Sequence, residues 1–319
     1  MEQLFEQLNK IINMYDNFII MGHKNPDLDS LGSSLGFYNV IRSFNKNAYI
    51  YLNNNELGNY NDNFNRALSK LKEQVNFIDE DINQPNTLVI VTDVHSKSRV
   101  DFEEVIDKYD VVVLDHHIKN NDYIKNTKFM YIDTNLSSMS ELIAFYLDYL
   151  KVDIDTITAT IILAGIEIDT NAFNLKTSAN TYRAASILME KGADTILKQE
   201  LLKETKEEYL KRVNYIKTSF MVNNDTAMCI VNKVVSNIDL AELAEELLTF
   251  HDVKASYVIG KLDNDIVGIS ARSLGDIDVS VVIKQMGGGG HMSNAATQIK
   301  GKTIKEIKQE LTKLILNEK

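Results

Sequence analysis

The sequence predicts an α/β protein with two domains. The first is a parallel sheet with helices on both faces, and a long helical connector joins it to a smaller mixed α/β domain. Continuous apolar segments alternate with amphipathic ones through the first half of the chain, and such strands are typical of buried parallel sheets. Strand-like segments return after a charged stretch at 194–220. The predicted domains are residues 1–195 and 223–319, with the connector at 196–222.

The first domain follows from alternating helical and strand-like segments. An amphipathic helix at 1–15 precedes NFIIM at 17–21, which has the composition of a short buried strand. The later expectations are strands at 48–52, 87–93, 111–115 and 129–133, helices at 30–44, 64–75 and around 101–109, and a loop at 53–63. Three further helices are expected within 138–150, 155–170 and 181–192.

The second domain is shorter and combines both element types. Charged residues dominate 194–220, which predicts one long helix with few ways to bury itself. Strands are expected at 226–234, 255–262 and 265–273, with a helix at 237–250 between the first two. The glycine-rich run 286–299 and a last amphipathic helix from Thr303 complete the chain.

Charge and composition exclude some classes of function. The 319 residues carry a formal net charge of −11, which argues against a basic track for long nucleic acid. A small phosphorylated substrate stays compatible, because bound metal ions reverse the local charge. Cys229 is the one cysteine, so an intramolecular disulfide is excluded. With neither a signal peptide nor an apolar run long enough for a membrane span, we expect a cytoplasmic chain, membrane-tethered only if it is part of a longer protein.

Histidines and aspartates follow several of the apolar segments. The set comprises His23, Asp27 and Asp29 after the first strand, Asp93 after the third, Asp115, His116 and His117 at the fourth, and Asp169 at the end of a helix. Carboxyl ends of parallel strands converge on one crevice, and these side chains suit Mg²⁺-like or Mn²⁺-like ions. One ion would not need this many histidines and aspartates, whereas two ions that share one carboxylate would. Pairs of divalent ions also promote nucleophilic displacement at a phosphorus atom. Each aspartate alone is also explained as a helix cap or turn residue.

Weaker signals lie elsewhere in the chain. The glycines at 287–290 before His291 allow backbone N–H groups to approach a phosphate, or form a flexible loop. Arg272 follows a strand and is either a phosphate clamp or a surface residue. His95 lies two residues after Asp93 and is either a neighbour of the metal ligands or exposed.

The ordered motifs resemble those of the DHH phosphoesterases. VVVLDHH (111–117) contains the Asp-His-His triplet, while GHKNPDLDS (22–30), VTDVH (91–95) and GIEIDT (165–170) resemble the first, second and fourth motifs. GGGGH (287–291) resembles the glycine motif of the DHH-associated C-terminal domain. Within this superfamily, 168–177, 267–279 and 287–298 are most similar to the phosphodiesterase half of GdpP-type cyclic-di-AMP phosphodiesterases.

The resemblance implies two divalent ions, with Mn²⁺ as the expected metal. One ion would be held by His23, Asp27 and Asp93, and the other by Asp29, Asp93, His116 and Asp169, with Asp93 bridging. The catalytic set would be Asp93, His117 facing the substrate phosphate, and Asp115 orienting the histidines through hydrogen bonds. The far phosphate or sugar would be bound by Arg272, Ser273, Gly287, Gly288, Gly289, Gly290 and His291.

The expected reaction is Mn²⁺-dependent hydrolysis of cyclic di-AMP to linear 5′-pApA, and the resemblance also implies a homodimer. NrnA-like hydrolysis of pApA, nanoRNA or pAp to mononucleotides is the alternative. A DHH-type pyrophosphatase is disfavoured by the GGGGH motif, and a RecJ-like exonuclease by the acidic charge. A silent nucleotide sensor is disfavoured by the intact set of metal ligands.

Overall fold

The computed structural model describes the chain apart from residues 54–55, 57–59, 72–73, 264 and 318–319. The described residues form two compact units, Met1–Glu204 and Thr205–Lys319. Part of the loop expected at 53–63 lies outside the described residues. Within the described part of the chain, no helix is both long enough and apolar enough to cross a bilayer.

A six-stranded parallel sheet forms the centre of the first unit. The strands are β1 (Asn17–Met21), β2 (Asn47–Tyr51), β3 (Phe77–Ile78), β4 (Thr87–Thr92), β5 (Asp110–Asp115) and β6 (Phe129–Ile132). They lie in the order β3-β2-β1-β4-β5-β6, and every pairing is parallel. The predicted parallel sheet is confirmed, and the two-residue β3 was not predicted.

The two faces of this sheet are covered differently. One face packs against α1 (Glu2–Ile12), α2 (Leu28–Ser43), α3 (Asp62–Leu71), α4 (Met139–Tyr149), α5 (Thr156–Asp169), α6 (Ala179–Glu190) and α7 (Thr195–Leu201). The other face is covered by residues 94–109 together with Ile124. The helix predicted around 101–109 is instead a short 3₁₀ turn, Glu103–Ile106. The predicted fold class is confirmed, with α-helices on one face and two short 3₁₀ helices, Lys97–Arg99 and Glu103–Ile106, in the segment that covers the other.

The charged segment at 194–220 is not one helix. It contains α7, and a new helix, α8 (Lys206–Ile216), starts after a short break. Thr205 caps α8 because its side chain accepts from the Glu208 N–H, while the Glu208 carboxylate accepts from the Thr205 N–H. The division between the two compact units falls at Glu204 and Thr205, within the segment predicted as the connector.

The second unit combines helices and strands, as predicted, and its sheet has six strands. After α8 come β7 (Phe220–Met221), β8 (Thr226–Val234), α9 (Asn237–Leu247), β9 (Ala255–Lys261), β10 (Ile266–Ser273), α10 (Val279–Gln285), β11 (Gly289–Gly290), β12 (Asn294–Lys300) and α11 (Ile304–Asn317). In this sheet the strand order is β11-β12-β10-β9-β8-β7, and β8 with β9 is the one parallel pair among its described strands. Strands β7, β11 and β12 were not predicted. One face packs on α9 and the other on α10 and α11.

Candidate metal centre

Asp93 lies between two histidines at the carboxyl edge of the first sheet. It follows β4, while His23 follows β1 and His116 follows β5. One carboxylate oxygen of Asp93 is 3.4 Å from His23 Nε2, and the other is 3.2 Å from His116 Nε2. Each oxygen thus faces a different histidine, as expected for a carboxylate shared by two cations.

The predicted metal ligands form two neighbouring groups around Asp93. In each group, the possible ligand atoms lie within 4.8 Å of one another; the groups are His23, Asp27 and Asp93, and Asp29, His116 and Asp169. A third such group combines Asp93 with His116 and His117. The sequence-predicted ligands are therefore all brought together at this edge.

The backbone at Asp93 has an uncommon conformation. Its φ angle is +64°, a left-handed geometry that aspartate tolerates better than most residues with a side chain. Its amide donates to the Leu114 carbonyl at 2.9 Å, which ties the end of β4 to β5. This turn after the strand directs the buried carboxylate toward the histidines, and such strained positions are frequent at functional sites.

Three buried atoms of this site, Asp93 Oδ1 and both ring nitrogens of His116, lack hydrogen-bond partners. Asp93 Oδ1 and His116 Nε2 are close to each other, but neither takes part in a hydrogen bond of acceptable geometry. Buried polar atoms are nearly always paired in folded proteins. A divalent cation is the kind of partner that carboxylate and imidazole atoms would share here, so the residues fit the predicted metal.

The electrostatics of the aspartates also favour a cation. Burial, and repulsion from Asp93, raise the pKa of Asp27 to about 6. Burial, Asp169 and Asp93 raise the pKa of Asp29 well above its usual range. Burial opposes the charged form of His23, but Asp93 and Asp27 outweigh it and raise its pKa to about 10. Without metal, protons therefore balance the crowded carboxylates.

Helix N-termini hold two of the carboxylates. Asp27 is the N-cap of α2, and its side chain accepts from the N–H groups of Asp29 and Ser30. Asp29 lies in the first turn of α2 and reaches across to α4, accepting from the Met139 N–H at 2.8 Å and the Ser140 N–H at 2.7 Å. Both side chains are consequently fixed before any ligand binds.

Asp115 organises a separate hydrogen-bonded chain. One of its oxygens accepts from the backbone N–H of His117 at 3.0 Å and lies 2.8 Å from His117 Nδ1. The other oxygen binds His95 Nδ1. We predicted that Asp115 orients the histidines, and the structure shows contacts with His117 and His95; no such contact with His116 is found among the described residues.

The sequence allowed two interpretations of His95, a neighbour of the metal ligands or an exposed residue. It is buried rather than exposed, and its Nε2 accepts from the Asn120 N–H at 3.1 Å. Because Nε2 is an acceptor, the proton of the neutral ring lies on Nδ1, where it is donated to Asp115. The sequence signals for this role were its position two residues after Asp93 and its place at the end of the VTDVH motif.

The predicted substrate residues of the second unit gather around a hairpin between β11 and β12. His291 and Asn294 exchange backbone hydrogen bonds, and Ser273 Oγ donates to the Met292 carbonyl at 3.2 Å. Gly290 has φ of +142°, and a Cβ there would lie 2.4 Å from the Asn294 carbonyl. The turn thus requires this glycine, whatever it binds.

Arg272 faces α9 in the second unit. Its Nε donates to Glu245 Oε1 at 2.9 Å, and its Nη1 donates to Ser270 Oγ at 3.2 Å. In the sheet, Arg272 lies opposite Asn294 of β12. Its role as a phosphate clamp stays a prediction, and any anion would have to compete with Glu245.

Two family models and several curated proteins match this chain. The N-terminal domain of the DHH family matches residues 17–166, and the DHHA1 domain matches 223–317. "Cyclic-di-AMP phosphodiesterase GdpP" of Bacillus subtilis is 35% identical over 95% of this chain and 48% of its own length. "Bifunctional oligoribonuclease and PAP phosphatase NrnA" of Mycoplasma genitalium is 28% identical over 96% of both chains.

One solved structure shows the same fold. An exopolyphosphatase-related protein from Bacteroides fragilis superposes with a TM-score of 0.78 at 20% identity, covering 99% of this chain and 98% of its own. At that identity the likeness concerns the fold alone. The chain spans about half the length of the GdpP relative that it matches, 48%.

Proposed function

Because this chain belongs to the DHH family, with a DHH domain followed by a DHHA1 domain, we propose that it is a two-metal phosphodiesterase that hydrolyses cyclic di-AMP to linear 5′-pApA. The observation that carries the proposal is Asp93, whose two oxygens lie 3.4 Å and 3.2 Å from two different histidines. The choice of substrate is supported by the 35% identity to the GdpP relative over 95% of the chain.

We propose that the metal ligands divide between two ions as the motif resemblance implied. In this proposal, His23, Asp27 and Asp93 hold one ion, and Asp29, Asp93, His116 and Asp169 hold the other, with Mn²⁺ as the expected metal. Bound ions of this kind supply Lewis acidity at the phosphoryl oxygens and a water of lowered pKa. Four carboxylates balance two divalent charges, so the loaded site is close to neutral toward an anionic ester.

His117 is proposed to contact the substrate phosphate. Its Nδ1 lies 2.8 Å from Asp115, so Nε2 carries a proton only when the ring is charged. The carboxylate of Asp115 compensates that charge, and the side chain of His117 is 43% exposed. A charged His117 would donate through Nε2 to a phosphoryl oxygen and stabilise the charge that develops there.

A second candidate function uses the same metal centre. NrnA-like hydrolysis of pApA, nanoRNA or pAp is supported by the match to the Mycoplasma genitalium relative, which extends over 96% of both chains. The two candidates differ in how the substrate is held. For either substrate, we propose that Arg272, Ser273 and residues Gly287–His291 hold the part of the nucleotide farther from the metals. We also propose that the chain assembles as a homodimer.

Replacing Asp93 by asparagine tests the proposal. Asparagine keeps the size of the side chain and tolerates the left-handed backbone, but it cannot act as a charged bridge. We expect Mn²⁺-dependent hydrolysis to fall by more than about 100-fold, beyond the loss typical of residues that only orient a ligand. The exposed Asp252 provides the control, because Asp252→Asn makes the same chemical change at a residue of the second unit that belongs to none of the candidate metal groups. Substantial Mn²⁺-dependent turnover by Asp93→Asn would refute the assignment.

A further inference from the structure

The first turn of α4 fixes the position of Asp29. Both oxygens of this fully buried carboxylate accept from helix amides, Met139 N–H at 2.8 Å and Ser140 N–H at 2.7 Å. These amides begin α4, so they have no partner within their own helix. The partial positive charge of the helix N-terminus adds to the attraction. The orientation of Asp29 therefore depends on where α4 begins.

Glu141 controls where α4 begins. Its backbone N–H donates to Ser138 Oγ, the N-cap, at 3.0 Å. Its carboxylate Oε2 accepts from both the backbone N–H and the hydroxyl of Ser137, the residue before the cap. The same oxygen accepts from Thr181 Oγ1 of α6 at 2.9 Å. With 1% of its surface exposed, Glu141 is a buried link between the start of α4 and the first turn of α6.

Close packing transmits any movement of this turn. Ser140 packs directly against two glycines that have no room for a side chain. A Cβ atom added to Gly32 would lie 2.9 Å from Ser140 Oγ, and one added to Gly165 would lie 2.5 Å from it. Gly32 belongs to α2, which carries Asp29, and Gly165 belongs to α5, which ends at Asp169. A displaced first turn of α4 would consequently disturb two ligands of the same predicted ion.

We propose that Glu141 is a positioning residue for the second metal position, the one that Asp29, His116 and Asp169 form together with the shared Asp93. It acts through α4, whose amides place the Asp29 carboxylate 3.8 Å from His116 Nε2. We do not expect Glu141 to orient the ligands of the first metal position, which are His23, Asp27 and Asp93. This inference rests on the proposed function, because it takes the assignment of two metal positions as given.

Calorimetric titration of the metal-free protein with Mn²⁺ tests the inference. Glu141→Leu removes the acceptor for Ser137 and Thr181, whereas Glu141→Gln keeps a carbonyl oxygen at the same reach. We expect two binding events in the unmodified protein. In Glu141→Leu, one event should weaken by about 10- to 100-fold, the range typical of residues that orient metal ligands, while the other stays unchanged. Glu141→Gln should restore most of the lost affinity.

A variant on the same helix controls for general destabilisation. Tyr146 is buried in α4 and donates to Asn9 Oδ1 at 2.6 Å, so Tyr146→Phe removes one buried hydrogen bond without touching the first turn. It should lower thermal stability and leave both Mn²⁺ affinities unchanged. If Glu141→Leu does not fold, Thr181→Val carries the test, because it removes one donor to Glu141 from outside α4 and should weaken the same single event.

The outcomes separate this inference from the proposed function. If Glu141→Leu binds both Mn²⁺ ions with unchanged affinity, the proposed role of Glu141 is overturned and the metal centre is unaffected. The same holds for Thr181→Val if that variant replaces Glu141→Leu in the test. Equal weakening of both events, or equal weakening by Tyr146→Phe, would also overturn it by indicating loss of stability alone. If the unmodified protein binds fewer than two Mn²⁺ ions, the proposed function itself fails.

Discussion

Replacing His95 by asparagine and by glutamine would separate the two hydrogen bonds that its ring makes. Asparagine Nδ2 occupies the place of histidine Nδ1, so His95→Asn keeps a donor for Asp115. The glutamine side-chain amide reaches the place of histidine Nε2, so His95→Gln keeps an acceptor for the Asn120 N–H. The two variants thus delete opposite ends of the chain that runs from Asn120 through His95 to Asp115.

The expected magnitudes follow from the charge of each partner. The bond to the Asp115 carboxylate is charge-assisted and contributes about 1.5–3 kcal/mol, whereas the bond from Asn120 is neutral and contributes about 0.5–1.5 kcal/mol. His95→Gln should therefore lower the free energy of unfolding more than His95→Asn. It should also lower kcat by about 10- to 100-fold, because Asp115 loses the group that holds it against His117.

Denaturant unfolding and steady-state hydrolysis at saturating Mn²⁺ measure the two effects. His95→Asn is expected to keep kcat within about 3-fold of the unmodified enzyme, since the restraint on Asp115 survives. His251→Gln is the control, because that histidine is exposed. If the two His95 variants have equal kcat, or if His95→Gln has the higher kcat, the idea that His95 holds Asp115 in place to orient His117 is refuted.

Further predictions concern substrate binding and protons. Arg272→Ala should raise KM by about 10- to 100-fold with little change in kcat, the loss expected for a charged phosphate contact, and an unchanged KM measured by initial rates would remove Arg272 from the binding role. In the metal-free folded protein, the pKa of Asp27 is raised to about 6 and that of His23 to about 10. At a pH between the ordinary and the raised pKa of either group, the folded state therefore binds more protons than the unfolded chain. This pair's contribution to metal-free stability is therefore present at low pH and falls as pH rises. Mn²⁺ displaces these protons, so the gain in melting temperature from Mn²⁺ over chelator should grow between about pH 5.5 and pH 8; a gain that shrinks over this range would contradict the protonation pattern. Titration in two buffers of different ionisation enthalpy should also detect proton release, and its absence would contradict the same pattern.

The parallel sheet and its metal edge were predictable because the local signals were strong. β1, β4 and β5 are uninterrupted apolar runs, and His23, Asp93 and His116 follow them directly. Parallel strands place their carboxyl ends together, so sequence order alone indicated the cluster. The position of Asp93 between two histidines agrees with the bridging role that the motif resemblance implied.

Other features depended on contacts that no local pattern reveals. The bond from Met139 N–H to Asp29 joins residues 110 positions apart, so no local pattern indicated which groups hold Asp29. The cover of the second sheet face is built from two short 3₁₀ helices and loops, which have no α-helical periodicity. The break before α8 had a readable signal, since Thr205 and Glu208 have the spacing of a capping box, but the charge run obscured it.

Product analysis after incubation with Mn²⁺ tests the central claim most directly. The protein is incubated separately with cyclic di-AMP, pApA and pAp, and the products are resolved by chromatography. The account predicts rapid loss of cyclic di-AMP with accumulation of linear 5′-pApA, abolished by chelator and in Asp93→Asn. Intact cyclic di-AMP with fast conversion of pApA or pAp to mononucleotides would instead establish the NrnA-like alternative. Absence of any Mn²⁺-dependent hydrolysis of the three substrates would contradict the account.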